Sequence, residues 1–162
     1  MTAEASDSQR MEILRPGPLY RFANWPIREV PTTGSLVYTI WDKEECFIYV
    51  GMAGRNGSGS ARSKGPFGRL ESHARGRRSG DQFCVYVSDK YILPRVHDRI
   101  PDIVAGKLSL DLLTREFIRI EFGFRFIQVA TALEAYDLER RIQRGEWACG
   151  KPALNPLPAV KD

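Results

Sequence analysis

Apolar residues recur along this chain with two periods, and each change of period marks an element. Residues 36–41 and 46–51 are short apolar, aromatic and β-branched runs. The charged stretch Asp42, Lys43, Glu44 and Glu45 separates them, which predicts an antiparallel hairpin. Residues 51–65 are dense in Gly and Ser and predict a flexible loop. A helix is predicted to open at Pro66 and run to about residue 77, because Phe67, Leu70 and Ala74 recur at spacings of three and four. Residues 83–87 suit a third strand and 124–129 a further one. Helices are predicted over 95–105, over 110–121 through Leu113, Phe117 and Ile120, and over 131–144, where Gly145 supplies the stop.

The N-terminal part lacks such a period. Residues 1–9 are small and polar, so 1–15 is expected to be a disordered tail. Pro16, Pro18, Pro26 and Pro31 break any regular element, leaving an irregular arm anchored by Tyr20, Phe22 and Trp25. With no internal repeat and no linker, residues 16–158 are expected to form one α/β (α+β) domain. The full length of 162 residues suits one domain and can bury a core without staples. Hydrophobic content of 43% and charged content of 27% are ordinary for a globular protein. No apolar stretch approaches the roughly 20 residues of a membrane span, and no signal-peptide core opens the chain, so a cytoplasmic protein without a membrane partner is expected.

Charge adds a local feature that the total conceals. The chain carries 24 basic and 20 acidic residues, a net +4. Residues 55–78 hold seven basic side chains (Arg55, Arg62, Lys64, Arg69, Arg75, Arg77, Arg78) against Glu71 alone, so this window is +6 and the remainder −2. Taken alone, such a run fits a solvated helix face. It also fits a polyanion partner, because each neutralised phosphate releases condensed counterions. Cys46, Cys84 and Cys149 form no CxxC pair and are expected to be buried free thiols in a reducing compartment. With His73 and His97 the only histidines, no Cys/His zinc spacing is present.

Candidate chemistry begins in the hairpin. Leu36-Val37-Tyr38 and Tyr49-Val50-Gly51 resemble the two signatures that name the GIY-YIG nuclease family. Downstream, Arg69 and His73 match the arginine and the histidine four residues later that some restriction enzymes of the family carry on the next helix. Residues 133–139, ending in Glu139, look like the family's metal-binding helix, and Leu154-Asn155-Pro156 resembles its closing asparagine motif. The resemblance covers roughly residues 30–156. It departs at Leu36 and Val50, in the longer stretch between Gly51 and Arg69, and in an enlarged region over 95–122. It implies a small central antiparallel sheet that begins with a hairpin and is flanked by helices.

One argument for Glu139 is independent of the family. At 100° per residue, Ala132, Ala135, Leu138 and Ile142 form one apolar arc of the last helix, and Glu139 falls inside it. A carboxylate facing a core is costly unless it is paired or binds a cation. A metal ligand is the sharper reading, and a buried salt bridge or a place at the edge of the stripe is the alternative.

The chemistry implied is hydrolysis of a DNA phosphodiester, with RNA kept open. Glu139 would be the single protein ligand of a Mg²⁺ or Mn²⁺ ion. Arg69 would stabilise the phosphate. Tyr38, Tyr49 or His73 would orient or deprotonate the attacking water, and Asn155 would orient its neighbours. Arg55, Arg62, Lys64, Arg75, Arg77 and Arg78 are candidate phosphate contacts, and a homodimer would be one route to double-strand cutting. The alternatives are a nucleic-acid-binding module of the same fold without turnover, and a small structural or protein-interaction domain.

Overall fold

The structure, a computed structural model, describes residues 7–54 and 65–158. Its centre is one antiparallel four-stranded sheet: β1 (Tyr20–Arg21), β2 (Ser35–Trp41), β3 (Phe47–Ala53) and β4 (Gly123–Val129), in the order β1-β4-β2-β3. The expected hairpin is β2–β3. Asp42 closes its turn, accepting from the backbone N–H groups of Glu44 and Cys46 at 2.9 and 2.8 Å. Six of the seven β2 residues are buried, because helices cover both faces of this interior strand.

Two cores flank the sheet. On one face Leu36, Tyr38 and Ile40 pack with Leu70 and Ala74 of α2 (Pro66–Arg75), Phe83 and Val87 of α3 (Gln82–Val87), and Ile118 of α5 (Leu110–Glu121). On the other, Val37, Trp41 and Val50 meet Met11 and Leu14 of α1 (Asp7–Leu14), together with Ala135, Leu138 and Ile142 of α6 (Ala132–Arg144). Thr131 caps α6 by accepting from Glu134 N–H at 3.1 Å, and Gly145 ends it at φ 87°.

Several expectations need correction. Residues 7–14 form helix α1 where a tail was expected. Leu14 is fully buried, worth about 1.5–3 kcal/mol, and Arg10 pairs with Glu134, so tertiary contacts supply what the polar local sequence does not. Residues 83–87 are helical, not a strand. A short apolar run has no period of its own, and Asp81 decides it by capping the helix, its Oδ1 accepting from Cys84 N–H at 3.3 Å.

The chain then passes through a π-helical turn (Ser88–Ile92) and two 3₁₀ turns (Leu93–Arg95 and His97–Arg99) before α4 (Ile100–Val104). Pro101 lacks the N–H group that one continuous helix over 95–105 would need. Helix α2 stops two residues early at Gly76, whose φ is 67°; a Cβ there would overlap the Arg115 backbone of α5. Of the three free cysteines Cys84 is buried, whereas Cys46 is exposed. Among the described residues no helix is long and apolar enough to cross a membrane.

Candidate active site

The first core converges on Tyr38. Antiparallel pairing sets Tyr38 opposite Gly51 and Ile40 opposite Tyr49, so both tyrosines project from the same face of the hairpin. Gly51 is needed there, because a Cβ at this position would overlap the Tyr38 hydroxyl. The tyrosine rings lie 6.4 Å apart. Helix α2 brings its buried face over them, and the Tyr38 hydroxyl lies 2.6 Å from His73 Nε2.

The other ring nitrogen of His73, Nδ1, is 2.7 Å from Asp81 Oδ2. Phe83 packs in tilted contact with both His73 (4.8 Å) and Tyr49 (5.0 Å), so α3 forms a wall of the cluster. Tyr38 and His73 are fully enclosed, and Tyr49 is 5% exposed. Arg69, one turn before His73 on the same helix, lies near enough for its charge to act on the Tyr38 hydroxyl and stays partly exposed. Its Nε is buried with no hydrogen-bond partner among the described residues.

Electrostatics assign the protons. Burial pushes the Tyr38 hydroxyl well above its ordinary value of 10, against a smaller opposing pull from Arg69, so the phenol keeps its proton. Burial likewise raises Tyr49. Burial lowers His73 from its usual 6.5, more than Asp81 raises it, and the ring is neutral at pH 7. Burial alone would raise Asp81, but the His73 contact, the Arg69 charge and the Cys84 N–H together hold it below 3.8 as a carboxylate. A carboxylate only accepts, so Nδ1 carries the ring proton and Nε2 accepts from Tyr38 O–H.

Glu139 sits half-buried on α6, at the edge of the stripe formed by buried Ala135, Leu138 and Ile142. Its charge acts on both tyrosines and raises them further. Asn155 has a different place from the cluster. Its Nδ2 donates to the Val50 carbonyl at 2.7 Å and its Oδ1 accepts from Val50 N–H at 3.2 Å. With Ala153 and Leu154 donating to Phe47 and Ile48, the segment covers the outer edge of β3 and fixes the strand that carries Tyr49 and Gly51.

Among the cationic candidates, Arg77 is exposed. Arg75 is paired with Glu71 at 2.9 Å and Arg78 with Asp111 at 2.7 Å, so the window's charge is partly neutralised where the structure describes it. Arg55, Arg62 and Lys64, with most of the expected loop, lie outside the described residues.

Two donor sets bear on metal binding. His73, Asp81 and Cys84 place ligand atoms within 4.8 Å of one another, a grouping that sequence spacing did not disclose. Nδ1 and Oδ2 already share a proton, and burial, then Asp81, pushes the Cys84 thiol upward. Without a metal this set forms a hydrogen-bonded network, and a cation bound there would displace the thiol and Nδ1 protons. Glu139 offers one hard carboxylate, a donor set that fits a Mg²⁺ keeping most of its waters.

Asp81 is the member that sequence reasoning missed. Its available signal was an aspartate two residues before an apolar run, which is where a helix N-cap stands. No family model, curated protein or solved structure matches this chain.

Proposed function

We propose that this chain is a metal-dependent endonuclease of the GIY-YIG type, acting on DNA. The observation that carries the reading is the enclosed Tyr38–His73 hydrogen bond beside Arg69, whose buried Nε has no partner among the described residues. Tyr38, Tyr49, Arg69 and His73 meet over one hairpin, and the Glu139 carboxylate acts on both tyrosines.

In this mechanism Arg69 donates to a non-bridging phosphate oxygen, where charge accumulates in the transition state. Tyr38 takes a proton from the attacking water while passing its own to His73 Nε2, and Asp81 stabilises the imidazolium that results. Glu139 would hold the divalent ion, which when bound supplies a Lewis acid for the phosphate and the leaving oxygen. Tyr38 is enclosed, while Arg69 and Glu139 are partly exposed members of the proposed site.

That enclosure favours a second reading, a nucleic-acid-binding module of the same fold without turnover. Incubating the protein with duplex, branched and single-stranded DNA separates the two. Cleavage with Mg²⁺ or Mn²⁺ that EDTA abolishes supports the nuclease. A salt-dependent gel shift without cleavage supports the binding module. Neither binding nor cleavage overturns both.

A further inference from the structure

We infer that Asp81 is a positioning residue: it locks His73 in the Nδ1–H form, so that Nε2 faces Tyr38 only as an acceptor. The inference deepens the nuclease reading and rests on it for its catalytic consequence, whereas the orientation of the ring can be tested without it. Three features carry it.

The Asp81 carboxylate is held at both ends. Oδ1 accepts from Cys84 N–H as the cap of α3, at 3.3 Å, and this turns Oδ2 toward His73 Nδ1 at 2.7 Å. Cys84 N–H can only donate and a carboxylate can only accept, so the contact at Oδ2 is made when the ring proton sits on Nδ1. The imidazole, moreover, is packed between Phe83 and Tyr49, at 4.8 and 6.0 Å between ring centres, which crowds the rotation that would exchange its nitrogens. Finally, the whole group is shut away from water: His73 is fully buried and Asp81 is 3% exposed, so no solvent molecule substitutes for either partner.

An amide at position 81 cannot meet both demands. With its oxygen capping α3, Asp81→Asn would present an NH₂ group to Nδ1. The ring would then carry its proton on Nε2 and donate to Tyr38, reversing the bond on which proton transfer depends. Asp81→Ser retains a capping oxygen but does not reach Nδ1.

The test is ¹⁵N spectroscopy of histidine-labelled protein as purified at neutral pH, with His97→Gln assigning the two rings. In the wild type, His73 should show a pyrrole-like Nδ1 and a pyridine-like Nε2. The pattern should reverse in Asp81→Asn and lose its Nδ1–H preference in Asp81→Ser. A wild-type ring protonated on Nε2, doubly protonated, or with a metal in place of the Nδ1 proton overturns the inference, as does an unchanged pattern in both variants. The wild-type measurement decides even if a variant fails to fold. Where DNA is cleaved, Asp81→Asn should lower kcat by about 10⁴-fold, the size of the wrong-tautomer effect in serine-protease triads, with KM nearly kept. A chain that cleaves nothing but gives the expected spectra defeats the nuclease reading and leaves the positioning role standing.

Discussion

Tyr38 stands opposite Gly51 across the hairpin ladder, and its hydroxyl occupies the space that a side chain at position 51 would fill. Gly51 is therefore what allows the phenol to lie flat on the neighbouring strand and reach His73. An ordinary Gly→Ala change inside a strand gains about 0.5–1 kcal/mol from chain entropy. Here the new methyl meets an enclosed ring, and overpacking of this kind costs about 1–3 kcal/mol. Gly51→Ala should destabilise on balance and abolish cleavage. Shortening the ring with Tyr38→Leu should reduce the cost of Gly51→Ala by at least about 0.5 kcal/mol in a double-mutant cycle. Equal costs in the two backgrounds would show that the two positions do not compete for space.

Stability should also depend on pH through His73. Its folded pKa lies below the unfolded 6.5, because burial outweighs the attraction of Asp81, while Arg69 also disfavours the charge. Between those two values the unfolded chain binds more protons, so stability rises with pH and is lost as pH falls below about 6.5. One proton gives a slope of at most about 1.4 kcal/mol per pH unit. Asp81 acts in the same direction at lower pH, since its folded pKa lies beneath 3.8. Denaturant unfolding from pH 7.5 to 5 should show this slope in the wild type and lose it in His73→Gln. A flat wild-type profile would mean that His73 is not held neutral.

Arg69 and Arg77 should separate catalysis from positioning. Arg69 is partly enclosed beside Tyr38, whereas Arg77 lies in the open after α2. Arg69→Lys retains charge but loses the planar fork, so turnover should fall on the order of 10²–10³-fold with binding nearly kept. Arg77→Ala should weaken binding and lower its salt slope while sparing turnover at saturation. Titrating both variants with DNA at several salt concentrations, alongside single-turnover cleavage, tests the division. Identical behaviour would remove it.

What the sequence discloses is what depends on neighbours along the chain. The hairpin shows itself because Asp42 and its charged neighbours interrupt two apolar runs, and α6 because Ala135, Leu138 and Ile142 keep a helical spacing up to Gly145. The cluster of Tyr38, Tyr49, Arg69 and His73 was visible as separate motifs, although only folding brings them together. Asp81 was not visible, because its role lies in a contact with a histidine on another helix. An apolar run at 83–87 that suits a strand also gives the aspartate before it no helix to cap. Arg78 likewise looked available until Asp111, 33 residues away, came to lie against it. Helix α1 does not show in the sequence because Met11, Ile13 and Leu14 are three apolar positions clustered at the end of a polar segment, too few to set a period.

Glu139 makes opposite demands under its two readings, and one substitution tells them apart. As a metal ligand its charge is a cost to folding that a cation offsets only when bound. Glu139→Gln keeps the shape and removes the charge, so the metal-free protein should be as stable as wild type or slightly more so. Cleavage should fall to background, while DNA binding persists or tightens, because a negative charge near the phosphate has gone. As one half of a structural ion pair, the same change would strand a cation. At a half-buried position that loss is about 1–3 kcal/mol, less than the roughly 3–5 of a fully buried pair. Thermal unfolding in EDTA, cleavage in Mg²⁺ and a gel shift on one preparation give three readouts. A folded, binding and inactive variant supports the metal site. A clearly destabilised variant, or one that still cleaves, assigns Glu139 to the framework and leaves the divalent ion without its proposed ligand.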